Sequence, residues 1–121
     1  MKVLVVDDNK IMTTILRMMI EKKKHQVITA NDGNDGYAAY LNFRPDLVLT
    51  DIQMPGKNGF ELMATIREHN PSIMAIYMTG DPGRFLTQLK EEQCTHKVDF
   101  ICKPFSVAEL STMLSKHQDR D

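Results

Sequence analysis

Short apolar runs alternate along the chain with longer segments in which apolar residues recur at helical spacing. Lys2 to Val6 is a continuous apolar run after its first residue, the sign of a strand buried on both faces. From Lys10 to about Lys23, Ile11, Ile15, Met18 and Met19 recur at helical spacing, with Met12 and Leu16 widening the stripe. His25 to Ala30 reads as a second strand, and Asn31-Asp32-Gly33 as a turn. Tyr37, Ala38 and Leu41 mark a helix that ends before Pro45. Asp46 to Thr50 is a central strand, and Pro55 and Gly56 close the segment that follows it. Asn58 is the N-cap of a helix through Leu62, Met63 and Ile66 to about His69, with Glu61 reaching back to the cap. Ser72 to Met78 is a fourth strand, ending at Thr79-Gly80. Asp81 then caps a helix with Pro82 at its first position, and Phe85, Leu86 and Leu89 form the buried face. Val98 to Cys102 is a fifth strand. Ser106-Val107-Ala108-Glu109 is a capping box opening a last helix, with Val107, Leu110 and Leu114 facing in.

Strand and helix alternate five times, which predicts an α/β fold: a single doubly wound five-stranded parallel sheet with right-handed crossovers. The 121 residues suit one compact domain, 1–121, with no linker or repeat. A net charge of −1 gives no global argument for nucleic acid or an anionic membrane. Lys22-Lys23-Lys24 reads as the end of the first helix rather than a nucleic-acid patch. No stretch is long enough to span a membrane. The two cysteines, Cys94 and Cys102, form neither a disulfide framework nor a metal motif, which fits a cytoplasmic protein. Met12, Met18 and Met19 read first as core gap-fillers, with an adaptable partner surface as the alternative.

The chemistry gathers where the strands end. The first strand ends in Asp7 and Asp8, the third in Asp51, the fourth in Thr79 and the fifth in Lys103. In an open doubly wound sheet these carboxyl ends share one edge, where ligands bind. Packed carboxylates repel one another, and a hard divalent cation such as Mg²⁺ relieves this through oxygen ligands. Lys103 adds a point charge suited to a phosphoryl oxygen, and Thr79 a hydroxyl donor. Together these residues read as a phosphoryl-transfer site with Asp51 as nucleophile. Taken singly, each has a plainer reading: Asp7-Asp8 as a helix cap, Asp51 and Thr79 as turn residues, Lys103 as a solvated charge. Their coincidence at the ends of four strands favours the site.

Val3-Leu4-Val5-Val6-Asp7-Asp8, Asp51-Ile52-Gln53-Met54-Pro55-Gly56 with Gly59, Met78-Thr79-Gly80 and Lys103-Pro104-Phe105 resemble, in order and spacing, the response-regulator receiver domain of two-component signalling. The resemblance covers essentially the whole chain. It implies the flavodoxin-like three-layer fold of single-domain chemotaxis regulators, with strand order 2-1-3-4-5. It implies phosphoryl acceptance on Asp51 from a histidine kinase or histidine phosphotransfer protein. Asp8 would bind Mg²⁺ directly and Asp7 through water, with the Gln53 carbonyl as a further ligand. Thr79 and Lys103 would contact the phosphoryl oxygens, and Lys103-Pro104 would be cis. Phe100 stands where the family carries its switch aromatic, coupled to Thr79. Gln53 and Asp81 stand where side chains tune hydrolysis, although Asp81 is equally a candidate N-cap.

Two departures accompany the resemblance. Thr79 and Lys103 are spaced slightly more widely than is usual, with the extra residues expected between Glu91 and Lys97. Gly80 stands where Ala is common. The downstream target is expected on the face of helix 4, strand 5 and helix 5. None of His25, His69, His96 and His117 sits in a kinase-like helical motif, so the phosphoryl group is expected from another protein. The chain is expected not to be an enzyme beyond self-catalysed phosphoryl acceptance and loss. Alternatives are a phosphorelay intermediate, a receiver fragment of a longer DNA-binding regulator, and a phosphatase of the haloacid-dehalogenase type. The last needs a second Asp two residues beyond the nucleophile, where this chain has Gln53. No helix-turn-helix follows Leu114, so direct nucleic-acid reading is not expected.

Overall fold

The computed structural model describes residues 1–118. Five strands and five helices alternate: β1 (Lys2–Val6), α1 (Lys10–Glu21), β2 (Gln26–Ala30), α2 (Gly33–Phe43), β3 (Leu47–Asp51), α3 (Gly59–Arg67), β4 (Met74–Thr79), α4 (Pro82–Thr95), β5 (Val98–Cys102) and α5 (Val107–Gln118). All strand pairs are parallel, in the order β2-β1-β3-β4-β5. Lys103-Pro104 is a cis peptide.

The continuous apolar runs arise because the central strands feed two cores. Val3, Val5, Leu47 and Leu49 point to one side, where Leu16 and Ile20 of α1 meet Leu110 and Leu114 of α5. Leu4, Val6, Val48, Ala75 and Tyr77 point to the other, under Tyr40, Leu62, Met63, Ile66 and Leu89. A strand buried on both faces shows no polar alternation.

The caps follow the sequence closely. Asn58 and Glu61 form a reciprocal capping box, and so do Ser106 and Glu109. Asp81 caps α4, with Pro82 opening it. α4 extends to Thr95 and so absorbs most of the added length before β5.

Several local expectations are corrected. Asn31-Asp32-Gly33 is not a free turn, because the Asp32 carboxylate accepts from Asp35 N–H and α2 begins at Gly33. β4 begins at Met74 rather than Ser72. The three lysines lie beyond the last turn of α1, and Lys24 takes a positive φ of 67°. The face of α1 also differs. Ile11 and Met18 are 73% and 57% exposed, and Ile15 is exposed too, whereas Thr13, Leu16 and Ile20 are buried. Thr13 can turn inward because its hydroxyl donates to Lys10 O at 3.0 Å. Leu86 and Val107 are exposed as well, which leaves Leu89 as the buried residue of α4 and Leu110 with Leu114 as those of α5.

Candidate phosphoryl-acceptor site

Parallel pairing brings the carboxyl ends of β1, β3, β4 and β5 to one edge. Val6 pairs with Thr50, Asp51 with Met78, and Thr79 with Cys102, so Asp7, Asp51, Thr79 and Lys103 emerge side by side. Asp51 ends β3 on a rigid seat. Gly59 N–H donates to Ile52 O at 2.8 Å, and a Cβ added at Gly59 would collide with the Asp51 carbonyl oxygen. Gly56 turns the intervening loop with a φ of 73°.

One carboxylate oxygen from each of Asp7, Asp8 and Asp51 lies within 4.8 Å of the others. Asp7 is buried and hydrogen-bonded through both oxygens: Oδ1 accepts from Asn9 N–H at 3.0 Å, and Oδ2 from Lys103 Nζ at 3.0 Å, which leaves each a further lone pair. Lys103 also donates to Asp51 Oδ2 at 3.3 Å. Asp8 is exposed at the mouth. Three hard oxygen donors so close together fit a divalent cation.

The local electrostatics are those of a crowded acidic pocket. Burial pushes the Asp51 carboxyl above its ordinary range; Lys103 pulls it down, Asp7 and Asp8 push it up, and the balance stays raised. Burial acts against the Lys103 ammonium, but Asp7 and Asp51 outweigh it and hold its pKa above the usual lysine value.

The remaining predicted residues frame this centre. Thr79 is buried; its Oγ1 accepts from Asp81 N–H at 3.0 Å, which leaves its own proton free to donate. Asp81 accepts from Arg84 N–H at 3.3 Å, so its N-cap role is realised. A Cβ at Gly80 would meet nothing within 4 Å, so Ala would fit there equally well. Gln53 is exposed and lines a groove of about 440 Å³ with Met54, Asn58, Arg84 and Phe85. Phe100 is half-buried, paired across the sheet with Tyr77 and packed against the α3 side of the core.

Asn9 and Asn31 support the site as well, and the strand-end pattern of the sequence does not mark them. Asn9 caps α1 through its side chain while its N–H orients Asp7, and Asn31 Nδ2 donates to Asp7 O at 3.0 Å. The Asn after Asp7-Asp8 carried a usable signal, since it sits where a helix cap is needed. Asn31 carried none, because only pairing of β2 with β1 brings it there. Among the described residues no helix is long and apolar enough to cross a membrane.

The family model described as response regulator receiver domain matches residues 3–115. Among solved structures, the chain is similar to a response regulator receiver domain protein from Clostridium thermocellum, at 24% identity and a TM-score of 0.85, covering 98% of this chain and 94% of that one. It is similar to the chemotaxis protein CheY4 of Vibrio cholerae at 25% identity and a TM-score of 0.86, covering 95% of this chain and 96% of that one. It also matches NtrX from Brucella abortus at 26% identity and a TM-score of 0.83, covering 95% of this chain but 26% of NtrX. With the family match spanning nearly its whole length, and the predicted strand order and acidic edge both in place, this chain belongs to the response regulator receiver domain family of two-component signalling.

Proposed function

We propose that Asp51 accepts a phosphoryl group from a histidine kinase or histidine phosphotransfer protein, with Mg²⁺, and that this switches binding of a downstream protein. The observation that carries this reading is the acidic triad of Asp7, Asp8 and Asp51 with Lys103 bridging two of its members. Asp7, Asp8, Asp51 and the Gln53 carbonyl would hold the cation, which would neutralise charge on the phosphoryl oxygens. A carboxylate oxygen of Asp51 attacks phosphorus; the O–P bond forms as the N–P bond to the donor imidazole breaks, and the imidazole keeps the electron pair. Lys103 is placed to stabilise the oxygens in flight, and Thr79 has a free proton to donate once the group has arrived. The protein turns over no separate substrate; acceptance and loss are its own chemistry.

The exposed stripe of Ile11, Ile15 and Met18 begins just beyond Asp8 and suits an amphipathic helix of the donor. The downstream partner is assigned to the α4, β5 and α5 face. Switching joins Thr79 to Phe100. A hydrogen bond to a charged group contributes roughly 1.5–3 kcal/mol, while reversing a 1:99 equilibrium takes about 5.5 kcal/mol. Thr79 therefore needs Lys103 or a partner to complete the switch. Gln53 and Asp81 are assigned to the path of attacking water.

Labelling with acetyl phosphate tests the site. Asp51→Asn and EDTA should each abolish it, and undiminished labelling of Asp51→Asn refutes the assignment. Return of label from Asp51 to a phosphotransfer histidine would mark the protein as a relay intermediate.

A further inference from the structure

A buried polar network lies outside the phosphoryl site, on the α3 and α4 side of the sheet. Tyr77 in β4 is fully buried, and its hydroxyl donates to Glu92 Oε1 of α4 at 2.6 Å. Arg67, the last residue of α3, donates through Nη1 to the same oxygen at 2.9 Å. The Arg67 side chain is 7% exposed and that of Glu92 16%. Burial, then Glu92, holds the Tyr77 hydroxyl protonated far above its ordinary range, so it is a fixed donor.

Three features distinguish this network from ordinary packing. First, α4 is lightly held: of its fourteen residues only Leu89 is buried, with Phe85 half-buried against Phe60, and Glu92 follows Leu89 by one turn on the same side. Leu89 is the apolar anchor and Glu92 the polar one. Second, the network is incomplete. Arg67 Nε and Nη2 are buried with no hydrogen-bond partner among the described residues, so a single carboxylate oxygen satisfies both the cation and the phenol. A half-satisfied buried network costs more than a complete one and is easier to tip. Third, Tyr77 lies two residues before Thr79 on the same strand, so both side chains point to one face. Tyr77 also pairs with Phe100 on β5 and meets the ring of Phe60 of α3 at a tilt of 49°, with centroids 4.7 Å apart. Tyr77 thus links the strand that carries Thr79 to Glu92 on α4.

We infer that Glu92 is a positioning residue: through Tyr77 and Arg67 it latches α4 onto β4 and α3, and phosphoryl-driven movement of Thr79 must work against that latch. This deepens the proposed function and rests on it for the phosphoryl step alone; the hold on α4 is a property of the chain without phosphate. The latch sets how much of the phosphoryl binding energy is spent before α4 presents its binding face.

The test uses the whole chain with Glu92→Gln, Tyr77→Phe and both together. Tyr77→Phe leaves the Arg67–Glu92 pair intact and is the gentler variant if Glu92→Gln folds poorly. Each single variant should speed amide exchange in α4 about tenfold while α3 is unmoved. Each should also tighten apparent affinity for beryllofluoride with Mg²⁺ by about threefold or more, because less work opposes the active arrangement. The double variant should lie within about twofold of Glu92→Gln alone, since neutralising Glu92 already weakens the bond that Tyr77→Phe deletes. Equal rises in α3 and α4 exchange, or unchanged beryllofluoride affinity in both single variants, would overturn the latch. If the parent chain fails to bind beryllofluoride at all, the Asp51 assignment falls. The hold on α4 is then decided by exchange alone: α4-selective acceleration keeps it, and its absence removes it.

Discussion

Helices α3 and α4 cover the same face of the sheet and flank the same acidic edge, yet they are held in different ways. α3 buries six of its nine residues, from Gly59 to Arg67. α4 buries one of fourteen. The first is pressed against the backbone of Asp51 itself through Gly59; the second is tied down by Leu89, the half-buried Phe85, an Asp81 cap and the Glu92 network. Under the proposed function the difference matches two parts. Phosphoryl chemistry needs a nucleophile fixed to a fraction of an ångström, which a well-packed helix supplies. A readout needs an element whose position small free energies can change, and such elements come from the weakly packed end of a fold.

The hardest way to break this contrast is to truncate one apolar residue in each helix. Ile66→Ala removes a fully buried side chain from α3 and should cost about 2–5 kcal/mol in urea denaturation. Leu86→Ala on α4, where the side chain is 39% exposed, should stay within about 0.5 kcal/mol. Similar losses from the two would erase the distinction.

A second pair uses one chemical change in two places. Gly59→Ala forces a methyl group into the Asp51 carbonyl, so the backbone must shift; the expected loss is about 1–3 kcal/mol, with slower labelling of Asp51. At Gly83 in α4 an added Cβ meets nothing within 4 Å, and Ala should gain up to about 1 kcal/mol with labelling unchanged. A neutral Gly59→Ala would show that the seat of Asp51 is softer than its packing implies.

The same contrast explains what the sequence revealed. The acidic edge is legible because parallel topology converts sequence position into spatial position. Once five strands are placed, Asp7, Asp51, Thr79 and Lys103 must share an edge. The capping boxes at Asn58 and Ser106 were legible because they are local. The outward face of α1 was not. Apolar residues at 11, 12, 15, 16, 18, 19 and 20 leave two stripes at helical spacing, and the one with Ile11, Ile15 and Met18 includes no polar residue to argue it outward. The deciding residue is Thr13, whose hydroxyl is satisfied within its own helix and can therefore be buried. The Glu92 network was equally hidden, since Arg67, Tyr77 and Glu92 come from three elements and show no periodic signal. Both misses fall where burial does not follow hydrophobicity.

Helix caps give a finer comparison. Asn58→Ala and Asp81→Ala should each cost about 1 kcal/mol by loss of the cap. They should differ in chemistry: Asp81 stands beside Thr79, so its loss should also alter the dephosphorylation rate. Asp81→Ser separates the two roles, because it restores a capping oxygen without the charge. Parent stability with an altered rate would assign hydrolysis tuning to the carboxylate. Parent stability with the parent rate would leave Asp81 as a cap alone.

The smallest effect concerns the cost of the rigid seat itself. Burial raises the Asp51 pKa in the folded chain, and the opposing pull of Lys103 does not cancel it. The folded state therefore holds the Asp51 proton more tightly than the unfolded state does. Where the unfolded chain binds fewer protons, stability falls as pH rises. The contribution of Asp51 is thus fully favourable below the ordinary carboxylate range and is lost as pH climbs through its raised folded value. At neutral pH without metal the ionised carboxylate is a net burden, and Lys103 retains Asp7 if it is removed. Asp51→Asn should accordingly raise Tm at neutral pH in EDTA, and the gain should shrink as pH falls into the carboxylate range. Added Mg²⁺ should reverse the order, because an ion that binds the folded parent stabilises it by mass action while the variant has lost one ligand. Melting curves at several pH values, with and without the ion, decide the matter. A variant less stable than the parent at every pH in EDTA would mean that Lys103 outweighs burial and that Asp51 sits without strain.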